Sequence, residues 1–154
     1  NHQSAWETFF FTFLFEDPVF VLKKELRFVP IMSWYFKKLD FIFIDRDKGA
    51  NSLRIIINAI NKLKGAPPKT FIIFPEGTRQ LPEKKTSLNP GVFAIKKMIQ
   101  IPIIPVRHNS GEYWYNKKFF KNPGTIKIEI FPEIKEKNKN DFLKKMESFF
   151  YKKT

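Results

Sequence analysis

Cysteine is absent, and with it go disulfides, thiolate nucleophiles and thiolate metal sites. Histidine is scarce: His2 and His108 stand far apart in the chain, which argues against a histidine-based metal centre. No apolar run approaches the roughly 18 residues that span a bilayer; the longest, Phe9 to Phe15, falls far short. Acidic residues are in the minority, 15 against 28 Lys and Arg, so the formal net charge is +13. Such an excess implies an anionic partner: nucleic acid, a phosphorylated substrate or a surface of anionic lipid. Nineteen Phe among 154 residues weigh against nucleic acid, whose binders have little use for so many large apolar rings. No internal repeat and no long linker divides the chain, so one domain with a real core is expected over residues 1–154. The chain starts at Asn1, without Met and inside what reads as a motif. We therefore expect a domain cut at its N-terminal side from a longer protein, and leave open an anchor or targeting segment upstream.

Periodicity predicts alternating strands and helices. Val19 to Leu22 reads as a short strand, Pro30 opens a helix through Leu39, and Phe41 to Ile44 reads as a second strand. Leu53, Ile56, Ile57, Ile60 and Leu63 recur at helical spacing over residues 51–64, and Gly65 with Pro67 and Pro68 ends that helix. Phe71 to Phe74 is a third strand, Gly91 to Ile99 a helix, and Ile101 to Val106 a strand punctuated by Pro102 and Pro105, which suggests an edge or bulged position. Thr125 to Phe131 alternates as a half-buried strand, and residues 140–152 form a Lys-rich helix with an apolar stripe. The pattern predicts an α/β domain with a largely parallel sheet flanked by helices.

Two stretches carry chemistry. Phe71-Ile72-Ile73-Phe74 is stopped by Pro75 and followed by Glu76-Gly77-Thr78-Arg79: a carboxylate, a glycine, a hydroxyl and a guanidinium at the end of a buried strand. Open α/β sheets put their ligands at that end. Gly77 permits a positive φ or a close backbone approach, and the planar fork of Arg79 suits a phosphate. A tight turn with a surface ion pair is the plain alternative. In the second stretch, Ser4 and Glu7 have capping-box spacing, which predicts a helix start near Ala5. On one straight helix His2 and Glu7 would point about 140° apart. With His2 in the preceding turn, its ring can fold back, and the pair can work as base and orienting carboxylate. The alternative is a Glu7 that only caps and a His2 at the surface. The helix itself, through Phe15, is apolar nearly all round, which predicts deep burial or contact with lipid. His108, in the turn-like Arg107 to Gly111, reads as structural.

Taken together these residues resemble the glycerolipid acyltransferases, in particular the bacterial 1-acyl-sn-glycerol-3-phosphate acyltransferases. His2-x-x-x-x-Glu7 is similar to the family's first block, a histidine and an aspartate separated by four residues. Lys23 to Leu26, Pro30 and Ile44-Asp45-Arg46 resemble the second, Phe74 to Arg79 the third, and Ile101 to Val106 the fourth. Any one block is weak; four in order across nearly the whole chain are specific. The resemblance implies an acyl thioester, acyl-CoA or acyl-ACP (acyl carrier protein), as donor and the free hydroxyl of lysophosphatidic acid as acceptor, giving phosphatidic acid. It implies His2 as general base with no acyl-enzyme, Glu7 in the aspartate's place, and Lys23, Arg46, Glu76, Gly77, Thr78 and Arg79 around the glycerol phosphate. No metal and no cofactor beyond the acyl donor are implied. An ordinary pair with Asp45 or Asp47 is the plain alternative for Arg46, and a solvated face that for Lys23 and Lys24. Glu7 departs from the pattern by one methylene, and Ser33 and Asp40 stand where the family commonly has glycines.

A bilayer-borne substrate implies work at a membrane surface, expected here to be the cytoplasmic face of a bacterial inner membrane. The +13 charge suits anionic headgroups, and Trp34, Tyr35 and Phe36 beside Lys37 and Lys38 would form an interfacial anchor or, equally, a core-facing stripe. The competing readings are a nucleic-acid module, for which no motif is present, an enzyme for another lysophospholipid, and an inactive membrane-associated homologue.

Overall fold

A computed structural model of the chain describes residues 1–65, 67–82, 84–114 and 119–151. In chain order its elements are α1 (Trp6–Leu14), β1 (Pro18–Lys23), a 3-10 helix (Lys24–Phe28), α2 (Met32–Lys38), β2 (Ile42–Ile44), α3 (Gly49–Leu63) and β3 (Thr70–Ile72). They continue with α4 (Gly91–Ile99), β4 (Val106–His108), α5 (Ser110–Tyr113), β5 (Ile128–Ile130) and α6 (Lys139–Tyr151). Parallel neighbours cannot be joined by a tight turn, and the crossovers through α2 and α3 make β2, β1 and β3 a parallel sheet in that order. A separate antiparallel pair joins β4 to β5. The architecture is the expected α/β fold, a mostly parallel central sheet flanked by helices.

Central strand β1 is buried on both faces. Val19 and Val21 point one way and pack with Ile56, Ile57 and Ile60 of α3 and Ile95 and Ile99 of α4. Phe20 and Leu22 point the other way, against Phe11 of α1 and Phe36 of α2. Each large apolar side chain so buried contributes about 1.5–3 kcal/mol. On its far side α4 presents Val92 to Phe142, Met146 and Phe150 of α6, closing a further layer. The chain therefore leaves β1 towards one face of the sheet and leaves β2 and β3 towards the other. That divergence opens a crevice at the strands' carboxyl ends, at Lys23, Ile44 and beyond Ile72.

Several expectations shift. The Ile101 to Val106 strand is absent but for its last residue: Pro102 and Pro105 have no N–H to donate, and regular pairing begins only at Val106. Single backbone bonds from Ile134 N–H to the Ile103 carbonyl and from Phe131 N–H to that of Pro105 hold the segment instead. The strands expected at 71–74 and 125–131 shrink to Thr70–Ile72 and Ile128–Ile130. The terminal helix ends at Tyr151 among the described residues, and Lys152 lies outside them. Helix α1 is one-sided: Glu7 and Phe11 are buried, whereas Phe9 and Phe13 are 60% and 87% exposed. The Trp34 to Phe36 stripe divides, with Trp34 and Tyr35 exposed and Phe36 stacked on Phe41. Asp40, where the resemblance leads one to expect glycine, takes φ +56°, a left-handed conformation that a short polar side chain tolerates.

Candidate active site

His2 lies in the turn before α1 and folds back, so that its Nδ1 is 2.8 Å from Glu7 Oε1. Both side chains are buried. Glu7 also accepts the backbone N–H groups of Gln3 and Ser4 at 2.8 Å, and the Ser4 hydroxyl donates to its Oε2 at 2.5 Å. The Ser4 oxygen in turn accepts the Trp6 N–H at 3.0 Å. Capping and orienting are thus one arrangement: the carboxylate that reaches back over the helix start is the one that holds the imidazole. Burial pushes the Glu7 carboxyl up, yet the bonds from His2 and Ser4, with His108 nearby, hold it well below the usual carboxylate range. An ionised Glu7 fixes the proton of His2 on Nδ1 and leaves Nε2 with a bare lone pair.

The Phe74 to Gln80 loop wraps this histidine. The ring of Phe74 stacks on that of His2 at 4.1 Å. Glu76 Oε1 accepts the His2 backbone N–H at 3.0 Å, and the Gln80 N–H donates to the His2 carbonyl at 2.9 Å. Gly77 has φ +72°, and no atom lies within 4 Å of where a Cβ would stand. Glycine is needed there for conformation and not for room. The Gly77 carbonyl accepts a bond from Arg46 Nη1. The alternative pairing of Arg46 with Asp45 is not what forms, because Asp45 is taken by Lys24 at 2.6 Å. Burial lowers the Arg46 guanidinium, Glu25 offsets part of this, and the charge of Arg79 adds to it. A half-buried guanidinium that feels the charge of a second, exposed one suits an anion. Thr78 and Arg79 are exposed at its rim. Lys23, at the end of β1 opposite Ile44, is exposed and lies 3.6 Å from Glu25. Among the described residues, no group of three or more His, Cys, Asp or Glu could hold a metal ion.

Beside the arginine a cavity of about 420 Å³ runs between the sheet and the α3–α4 layer. Its walls are mainly apolar, with Val21, Ile44, Ile56, Ile73 and Ile95, while Arg46 and Gly77 stand at its polar part. The site therefore joins a histidine–carboxylate pair, a cationic crevice and an apolar chamber.

Residues 1–109 match the family model described as Acyltransferase. The chain belongs to this acyltransferase family. It is 38% identical over 136 residues to the 1-acyl-sn-glycerol-3-phosphate acyltransferase of Pseudomonas aeruginosa, covering 87% of this chain and 52% of that protein. It is 30% identical over 142 residues to human 1-acyl-sn-glycerol-3-phosphate acyltransferase beta, covering 87% and 49%. The chain thus spans about half the length of these curated relatives. The crystal structure of the 1-acyl-sn-glycerophosphate (LPA) acyltransferase PlsC of Thermotoga maritima superposes with a TM-score of 0.79 at 25% identity, over 98% of this chain and 61% of that one.

Sequence reasoning read His108 as structural but did not place against His2 the segment from Val106 to Gly111. Its backbone and side chains grip the turn that carries His2. The Asn1 amino group donates to the Val106 carbonyl at 2.8 Å, and Asn1 and His108 exchange a further pair of bonds at 3.0 Å. His108 Nε2 lies 2.8 Å from the Asn1 carbonyl, which can only accept, so Nε2 carries the proton. Nδ1 then faces the Ser110 N–H at 3.4 Å as an acceptor. Burial pushes His108 down to about 4, although Glu7 Oε1, 3.9 Å away, works in the opposite direction. The Gly111 N–H donates to Gln3 Oε1 at 3.0 Å. No local pattern announces these contacts; a polar cluster directly after a predicted strand was the one available sign.

Proposed function

We propose that this acyltransferase moves an acyl chain from acyl-CoA or acyl-ACP to the sn-2 hydroxyl of lysophosphatidic acid, giving phosphatidic acid. The observation that carries the reading is the buried His2–Glu7 pair, with His2 Nδ1 2.8 Å from Glu7 Oε1. His2 Nε2 takes the hydroxyl proton as the acceptor oxygen attacks the thioester carbonyl. The new C–O bond forms, the C–S bond breaks, and the departing thiolate receives the proton from the imidazolium. No group of the protein is acylated. Glu7 keeps the imidazole in its reactive tautomer and stabilises the imidazolium.

Arg46 and Arg79 hold the glycerol phosphate, with the Glu76-Gly77-Thr78 backbone shaping the crevice and Lys23 adding positive charge at its edge. The apolar chamber next to Arg46 takes a hydrocarbon chain. The partner surface is an anionic bilayer, met by exposed Phe9, Phe13, Phe28, Ile31, Trp34 and Tyr35 with Lys37 and Lys38 among them. Lys38 Nζ sits 4.1 Å above the Trp34 ring, an aromatic and basic pairing suited to a headgroup region. We place the work at the cytoplasmic face of a bacterial inner membrane. Among the described residues no helix is long and apolar enough to cross a membrane.

The test is release of free thiol from acyl-CoA or acyl-ACP, with and without lysophosphatidic acid, using the full-length protein in vesicles. Release is expected to depend on the acceptor and to fall by 10²- to 10⁴-fold, roughly the contribution of a general base, in His2→Ala. Failure with both donors across several lysophospholipids would overturn the reading in favour of an inactive homologue.

A further inference from the structure

The geometry points to Ser110 as a positioning residue for the His2–Glu7 pair. Its hydroxyl lies 2.9 Å from Glu7 Oε2 and 2.7 Å from Ser4 Oγ, across 103 and 106 residues of chain. Ser110, Ser4 and Glu7 are each 0% exposed, so no water competes for these bonds. Ser110 lies just beyond residues 1–109, the stretch that matches the family. The inference rests on the catalytic reading proposed above.

The physical need is rotational. Glutamate has one more torsion to fix than aspartate, and its terminal carboxylate torsion is broad and soft. Oε1 is shared by His2 Nδ1 and the N–H groups of Gln3 and Ser4; of these only the Ser4 N–H also reaches Oε2, at a longer 3.1 Å, so the plane is set largely by what else holds Oε2. Oε2 is where the two hydroxyls converge. Each has one proton: that of Ser4 goes to Oε2, and that of Ser110 goes to Oε2 or to Ser4 Oγ. Either way the donors from two distant segments lock the plane in which Oε1 meets the imidazole. Ser110 also heads α5, whose next residue, Gly111, binds Gln3; a Cβ there would come within 2.9 Å of the Gln3 Cβ. The serine is thereby held against the catalytic turn at fixed distance.

The test compares the full-length protein with Ser110→Ala and with Ser110→Cys, which is somewhat larger and keeps only a weak donor. Two readouts are used. In ¹⁵N-histidine NMR spectra, Ser110→Ala is expected to broaden or displace the His2 Nδ1–H resonance. In turnover, kcat is expected to fall about tenfold, as for loss of a bond to a charged group, with KM for the acceptor unchanged. The kcat effect should vanish in a Glu7→Ala background, since Ser110 acts only through that carboxylate. An unchanged His2 Nδ1–H resonance in both variants, or an equal fall in kcat with and without Glu7, would overturn the assignment. If the parent shows no turnover, the catalytic reading fails on its own, and the NMR comparison still decides whether Ser110 positions the pair.

Discussion

His108 should make the protein acid-sensitive well above the range in which carboxylates titrate. Its side chain is 0% exposed, with Asn1, Glu7, the Phe11 ring and Ser110 packed round it. Burial outweighs the attraction of Glu7 and holds it down to about 4 against an ordinary 6.5. Protonation would also turn Nδ1 into a donor facing another donor, the Ser110 N–H. Below pH 6.5 the unfolded chain binds a proton here that the folded chain refuses, so stability falls as pH falls, until about pH 4. At about 1.4 kcal/mol per pH unit the whole effect is about 3 kcal/mol, of which about 2 kcal/mol is lost between pH 7 and pH 5. Glu7 is held below the carboxylate range, so its own loss comes at a pH below this window. Urea unfolding at intervals from pH 8 to pH 5 should show the midpoint dropping by about 1 M. In His108→Gln the whole curve is lower, through the altered bond to Asn1, but its slope over this window should be lost. A flat parent curve, or an equal slope in the variant, would refute the argument that His108 is buried neutral.

Two further outcomes concern the loop after β3. Arg79→Ala should raise KM for the phosphorylated acceptor about tenfold, the size expected for a charge-assisted bond, while changing kcat little; a fall confined to kcat would remove Arg79 from acceptor binding. Gly77→Ala should destabilise the fold by about 1–2 kcal/mol through its φ of +72° alone, since the space beside it is open. Thermal unfolding measures this, and an unchanged Tm would mean that the loop relaxes without harm.

The residues that carry local signals were legible from the sequence. Ser4 and Glu7 stand at capping spacing, Gly77 follows a strand stopped by proline, and the helical spacing of Leu53 to Leu63 gives α3 its buried face. Each of these acts within a turn or two of chain, so spacing alone expresses it. Whether His2 folded back onto Glu7 was left open at that level; it needed Phe74 on one side of the ring and Glu76 under its backbone, residues some seventy positions away. The prolines at 102 and 105 suggested an edge or bulged strand, but where pairing begins depends on β5. Exposure of Trp34 and burial of Phe36 are likewise decided by where Phe20 and Phe41 pack.

The sequence alone therefore marked which groups are candidates for the chemistry and which elements bring them to the ends of the strands. Only the tertiary structure decided what surrounds them: the burial that keeps His108 neutral, and the hydroxyls of Ser4 and Ser110 converging on one carboxylate oxygen. The reason is physical. Spacing along the chain encodes contacts between near neighbours, whereas the field and hydrogen bonds at a buried charge come from segments a hundred residues apart, brought together by packing that no single stretch records.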